Sequence, residues 1–271
     1  MKNLIERTLT GAIYVVVISG AIWFHPYSFL GLFMVITGLA LWEFFALTGR
    51  KDAHRYIEIA GGVYLFAVSF FYAAGNVAGY VYLPYLFFLL YMLVAGLYRV
   101  TSDPVHEWAM KLFAQFYIAG LLSLLNFIAF ASGTYAYGCI LLIFAFVWLN
   151  DTAAYLIGTS FGKHPLFPRV SPLKSWEGFA GGLSVVLLSA LVMSYYIPDL
   201  FGGWQQWVIL AAVIVVFGTW GDLIESLLKR TYGVKDSGKL LPGHGGLLDR
   251  IDSALLAAPA VYICLKIIGG W

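Results

Sequence analysis

The chain has 271 residues, of which 61% are hydrophobic and 11% charged, a balance too apolar for a soluble domain with alternating polar faces. Its formal net charge of +2 says little as a total, but the basic residues are placed almost entirely on one side of the expected topology. The two cysteines, Cys139 and Cys264, fall inside apolar runs, which excludes a disulfide framework and any metal-binding spacing and leaves buried thiols.

Nine apolar runs follow one another, at about 10–25, 28–48, 57–74, 80–98, 109–131, 136–158, 177–197, 206–228 and 251–269. About 20 apolar residues span a bilayer as a helix. Helices are required because hydrocarbon offers no partner to an unpaired N–H or C=O. The one-in-two alternation of a membrane barrel is absent. The first run is a retained helix rather than a cleaved leader, because "IWFHPYS" lacks a small-residue cleavage site and further spans follow at once. The expected fold is therefore all-α, a polytopic integral membrane protein with about nine transmembrane helices.

With nine spans, fifteen of the sixteen Lys and Arg residues fall in loops on one side, Lys266 being the exception. The opposite loops, "HPYS", "AGNVAGY", "ASGTYA" and "PDLFGGWQQ", carry none. The positive-inside rule puts the N-terminus and the polar loops in the cytoplasm. The expected location is a cell membrane, multi-pass, with the polar loops facing the cytoplasm.

The first five spans, within residues 1–135, read as a scaffold with short loops. The cluster "GRKDAHR" at 49–55 reads as a topology signal or a contact to anionic headgroups. Glu43, in "LWEFF", reads as an interfacial acid beside Trp42. Polar chemistry concentrates in residues 136–271, the expected catalytic region, with cytoplasmic loops 159–176 and 229–250. Asn150 and Asp151 interrupt the sixth span, and loops this long in compact proteins are usually functional or disordered. No internal repeat is convincing.

In "GDLIESLLKR", Asp222, Glu225, Ser226 and Lys229 recur at i, i+3, i+4 and i+7, so a helix puts them on one face. Ionisable groups inside a span are costly, about 2.5–3.5 kcal/mol each on insertion scales, and default to a functional reading. The bland alternative is an intrahelical ion pair, Glu225 with Lys229. Asp249 and Asp252 lie three residues apart at the start of the ninth helix. A helix dipole favours one such acid without any function. Carboxylates from two adjacent helices suit a hard cation such as Mg²⁺. His244 has no second histidine or cysteine nearby, so a zinc site is not expected. The glycines of "PGHGG" let backbone N–H groups approach an anion, and Lys229, Arg230, Lys235, Lys239 and Arg250 supply cations for phosphate. Acids, bases and bare backbone together imply a polyphosphate substrate. No Walker pattern is present.

"SLLKRTYGVKDSGKLLPGHGGLLDRID", residues 226–252, resembles the signature of the phosphatidate cytidylyltransferase (CDP-diacylglycerol synthase) family. Every position of that pattern is matched. "NDTAAYLIGTSFGKHPLFPRVSPLKSWEGFAGG", residues 150–182, is similar to the bacterial members. The resemblance implies that CTP and phosphatidic acid give CDP-diacylglycerol and pyrophosphate with Mg²⁺, as one ion or two. A phosphomonoester with a second pKa near 6 is largely dianionic at neutral pH, so the lipid phosphate can attack the CTP α-phosphate without a protein nucleophile. On this resemblance Asp222 and Asp249 are the first metal ligands, with Asp252 and Asp151 next. Lys229, Arg230, Lys235 and Arg250 hold phosphates, Asp236 belongs to the catalytic motif, and His244 positions. Ser171, Lys174, Ser226, Gly245 and Gly246 bind substrate. The expected partners are CTP, phosphatidic acid and membrane lipids, with no nucleic acid, and a homodimer is left open. A lipid or polyprenol kinase is the alternative, and a cation-coupled transporter is disfavoured because the acids cluster at one end of the spans.

Overall fold

The computed structural model describes residues 2–50, 52–98, 103–238, 240 and 245–268. Among these residues, eight helices are long and apolar enough to cross a membrane, and the shorter apolar stretch Thr8–Phe24 supplies a ninth position. They coincide with the nine runs expected, and the chain is a multi-pass membrane protein of all-α class. It divides into two compact units, residues 1–135 with 237–248, and residues 136–236 with 249–271.

The first unit contains α1 (Lys2–Phe24), α2 (Pro26–Leu47), α3 (Arg55–Ala73), α4 (Leu83–Leu97), α5 (Pro104–Ala114) and α6 (Leu121–Ala129). Pro26 opens α2 at the position where a missing N–H costs nothing, and His25 Nδ1 accepts from the Tyr27 N–H at 3.2 Å. Pro104 opens α5 in the same way, with Asp103 accepting from the His106 N–H at 2.9 Å. The core is aromatic. Phe29 and Phe33 lie 4.8 Å apart between ring centroids, and Phe33 stacks on Phe66 at 6.1 Å. Between α5 and α6 the chain winds as a π-helical turn, Gln115–Gly120. The buried Gln115 side chain donates to the Glu58 carbonyl at 2.7 Å and accepts from the Tyr85 hydroxyl at 3.2 Å.

The basic cluster at 49–55 is not a free headgroup contact at Arg50. Its guanidinium pairs with Glu58 and, at 3.1 Å, with Asp52. Burial opposes its charge, yet these carboxylates hold its pKa above the ordinary value. Lys111, expected in a loop, is buried in α5 and reaches Glu58 at 3.8 Å and Glu107 at 3.5 Å.

The second unit contains α7 (Tyr137–Phe161), α8 (Trp176–Tyr196), α9 (Trp204–Thr231) and all but the first residue of α10 (Leu248–Ile268). Residues 159–176, expected as a loop, instead continue α7 to Phe161 and then form an antiparallel hairpin, β1 (Pro165–Phe167) and β2 (Ser171–Ser175). Ser175 caps α8 by accepting from the Gly178 N–H at 3.1 Å. A Cβ at Gly178 would meet the Ala154 carbonyl oxygen at 2.8 Å, so α7 and α8 approach closely there. Cys139 and Cys264 are free and buried, as the sequence implies.

Candidate functional site

The second unit gathers its ionisable residues from four elements. α7 brings Asp151, the hairpin brings Lys174, α9 brings Asp222, Glu225 and Lys229, and α10 brings Asp249, Arg250 and Asp252. The helical spacing of "GDLIESLLKR" does as expected, with the Ser226 hydroxyl 3.2 Å from Asp222 Oδ1 and Lys229 paired with Glu225 one turn earlier. Two further contacts reach between elements. Lys174 Nζ lies 2.6 Å from Asp222 Oδ2. Lys229 Nζ lies 2.6 Å from Asp249 Oδ1, so one ammonium serves carboxylates on both α9 and α10.

Asp252 is buried and sits in the electrostatic field of Asp222, Glu225 and Asp151. Its Oδ1 accepts from the Ser253 N–H at 2.7 Å. Asp151 interacts with Asp222, Lys174 and Arg250. The helices can come this close because residue 221 is glycine. A Cβ there would strike the Asp252 carbonyl oxygen and meet Ser253 Cα at 3.1 Å.

The cluster is acidic on balance: Asp151, Asp222, Glu225, Asp249 and Asp252 against Lys174, Lys229 and Arg250 leaves two carboxylates in excess. Among the described residues no three acid, histidine or cysteine side chains converge closely enough to enclose an ion. In donor chemistry the set nevertheless fits a hard divalent cation, being carboxylate oxygen throughout.

Other expected residues fall differently. Arg230 directs its guanidinium to backbone, donating to the Val234 carbonyl at 3.1 Å and the Val170 carbonyl at 3.5 Å. That fastens the hairpin to the end of α9. Lys235, Asp236 and Arg250 are exposed, and Ser171 begins β2 opposite Phe167. Lys239 and His244 lie outside the described residues. Glu225 was no more than a helix-face neighbour in the sequence, yet it is 1% exposed and central to the cluster.

Gly245 and Gly246 belong to the first unit. Gly245 has φ +80°, a left-handed conformation that disfavours any side chain. A Cβ at Gly246 would collide with the Ser237 hydroxyl and meet Glu43 Oε2 at 2.6 Å. Glu43, near the end of α2, is wholly buried within the protein, accepting from the Leu247 N–H at 3.0 Å and the Leu248 N–H at 2.8 Å. Its partners lie 194 to 205 positions away, so local pattern gave no sign of them.

Comparison with known proteins yields relatives named phosphatidate cytidylyltransferase in several staphylococci. That of Staphylococcus aureus (strain COL) is 48% identical over 128 residues, covering 46% of this chain and 48% of the relative. That of Staphylococcus saprophyticus is 48% identical over 126 residues with the same coverage, and that of Staphylococcus epidermidis is 49% identical over 128. The chain thus matches about half the length of these curated relatives. A family model covers far more, running from residue 5 to residue 268, and on that match the chain belongs to the cytidylyltransferase family.

Proposed function

We propose that this chain is a phosphatidate cytidylyltransferase that works at a membrane surface facing the cytoplasm, joining CTP and phosphatidic acid into CDP-diacylglycerol and releasing pyrophosphate. The observation that carries the reading is the lysine–carboxylate arrangement of the second unit, Lys174 on Asp222 and Lys229 on Asp249. The name of the staphylococcal relatives supports it, as does the one-sided distribution of Lys and Arg.

An oxygen of the lipid phosphate attacks the α-phosphorus of CTP, a new P–O bond forms, and the bond to the β-phosphate bridging oxygen breaks with its electrons leaving on pyrophosphate. The nucleophile is already anionic near neutral pH, so no side chain needs to remove its proton. The protein's task is to line up two anions that repel each other. Lys174 and Lys229 are the cations built into the site, and each is held on a carboxylate. Incoming phosphates compete for those ammonium groups and leave carboxylates free. Asp222, Asp249, Asp252 and Asp151 would hold Mg²⁺, which when bound neutralises charge on the triphosphate and on departing pyrophosphate. Lys235, just beyond α9, and Arg250, in the first turn of α10, are exposed and meet phosphate from the water side.

The test is purified protein in detergent with phosphatidic acid, CTP labelled in the base, and Mg²⁺. Labelled lipid and pyrophosphate should form in equal amounts. Labelled CDP released into water, with phosphate appearing on the lipid, would make the protein a lipid kinase.

A further inference from the structure

The hairpin that presents Lys174 is poorly equipped to hold its own shape. It has two strands only, and Pro165, Pro168 and Pro172 each lack the N–H that a ladder uses. Its register shifts between Pro165 and Phe167. A two-stranded hairpin is at best marginally stable in water even with a full ladder. Its tip is held where Arg230 donates to the Val170 carbonyl at 3.5 Å. Its base is held by the Trp176 N–H, which donates to the His164 carbonyl at 2.9 Å, and by one carboxylate. Glu177 Oε2 accepts from the Lys163 N–H at 3.1 Å and from the His164 N–H at 3.2 Å. Glu177 Oε1 accepts from His164 Nδ1 at 2.6 Å. Lys163 and His164 lead into β1, and Glu177 follows the end of β2 at Ser175. All these residues lie within the second unit.

A helix dipole favours an acid in the first turn of α8. It does not explain why that acid turns back and takes all its donors from one dipeptide on the far side of the hairpin. Stability does not explain it either: the His164 side chain is 77% exposed, and ion pairs so open to water contribute little. What the contacts do fix is the closure of the hairpin, next to the residue that reaches Asp222. We propose that Glu177 is a positioning residue: its carboxylate ties the entering and leaving ends of the hairpin together and so holds Lys174 on Asp222, ready for a substrate phosphate. This rests on the cytidylyltransfer reading. Glu177 touches only the hairpin base, so it acts through Lys174 and not on the substrate.

The experiment compares wild type with Glu177→Ala and Glu177→Gln. Alanine removes all three acceptor contacts and keeps helix propensity. Glutamine keeps an oxygen for the two backbone N–H groups, and its NH₂ can donate to Nδ1 of a neutral ring. Lys174 is followed by its rate of acylation with an amine-reactive reagent, read by mass spectrometry against the exposed Lys235 of the same chain. In Glu177→Ala, Lys174 should react at least about threefold faster relative to Lys235, and the Lys163 and His164 amides should exchange about tenfold faster. The kcat should fall about tenfold while the thermal midpoint stays within about 3 °C of wild type. In a Lys174→Met background the same substitution should lower kcat by less than about twofold, because no ammonium is left to position. Glu177→Gln should stay within about threefold of wild type in every readout. Unchanged Lys174 reactivity in Glu177→Ala overturns the positioning role, and so does an undiminished further loss in the Lys174→Met background. Glutamine as damaging as alanine assigns the effect to charge and overturns the hydrogen-bonded closure. Wild-type protein that makes no CDP-lipid defeats the underlying reading instead, and acylation and amide exchange, which need no turnover, still decide whether Glu177 holds Lys174 in place.

Discussion

Lys174 and Asp222 meet at 2.6 Å across 48 positions of sequence, one on a hairpin strand and the other inside the longest helix. The hairpin register fixes the contact. Phe167 opposite Ser171 and Pro165 opposite Ser175 leave Lys174 one residue before the cap of α8. Asp222→Asn keeps size and removes charge, and should lower kcat at least about a hundredfold, the scale of a lost electrostatic contact in an active site. Lys174→Met should cost a similar factor. Because the two act as one unit, the loss in the double variant should be far less than the product of the single losses. Multiplicative losses in the cycle would show that the pair is not functionally coupled.

Lys229 pairs with the buried Glu225 and also reaches Asp249, so its loss takes the counter-charge from Glu225. Removing one member of a buried ion pair typically costs about 3–5 kcal/mol. Lys229→Met should therefore lower the thermal midpoint in detergent by roughly 6–12 °C. Adding Glu225→Gln to that variant removes one orphaned charge and should recover part of the loss. A midpoint within about 2 °C of wild type in Lys229→Met would mean that the carboxylates find other partners or protons.

Gly221→Ala sets two effects against each other. Alanine gains about 1 kcal/mol over glycine as a helix former. Against that, its Cβ would strike the backbone of Asp252 and Ser253, which cannot rotate away as a side chain could. Overpacking costs about 1–3 kcal/mol where side chains can adjust, and more against backbone. The expected result is a net loss of about 2 kcal/mol and a fall in activity larger than the stability change explains, since Asp222 and Asp252 are displaced with the helices. A variant more stable than wild type and fully active would refute the close approach of α9 and α10.

Much of this was legible in the sequence, and the reasons for what was not are physical. The helices follow from apolar length, because hydrocarbon leaves the backbone few options. The shared face of Asp222, Glu225, Ser226 and Lys229 follows from helical periodicity. The hairpin at 165–175 did not, since "HPLFPRVSPLKS" has prolines in and beside its strands and no alternating apolar face. Neither did the partners of Glu43 or the reach of Lys174 to Asp222. A contact between distant segments leaves no periodic trace in one sequence.

Orientation is checked by labelling. In a variant lacking Cys139 and Cys264, a single cysteine at Lys163 or Lys235 should resist a membrane-impermeant thiol reagent in intact cells and react once the membrane is opened. Both positions are exposed, so access is governed by sidedness rather than burial. Reaction in intact cells would place the site on the opposite face and deny it cytoplasmic CTP.

The order in which the chain is made gives the Glu43 contacts a further meaning. Leu248 follows Glu43 by 205 residues. At a synthesis rate of about 5–20 residues per second, the carboxylate waits about 10–40 s on the ribosome for its last donor. Until then the first five spans are threaded into the bilayer around an acid that lacks these three donors, a state that lipid penalises. Biogenesis of this protein therefore cannot finish its first half first. A chain that stalls before Ser237 holds the Glu43 carboxylate without the Ser237, Leu247 and Leu248 donors that meet it in the full chain.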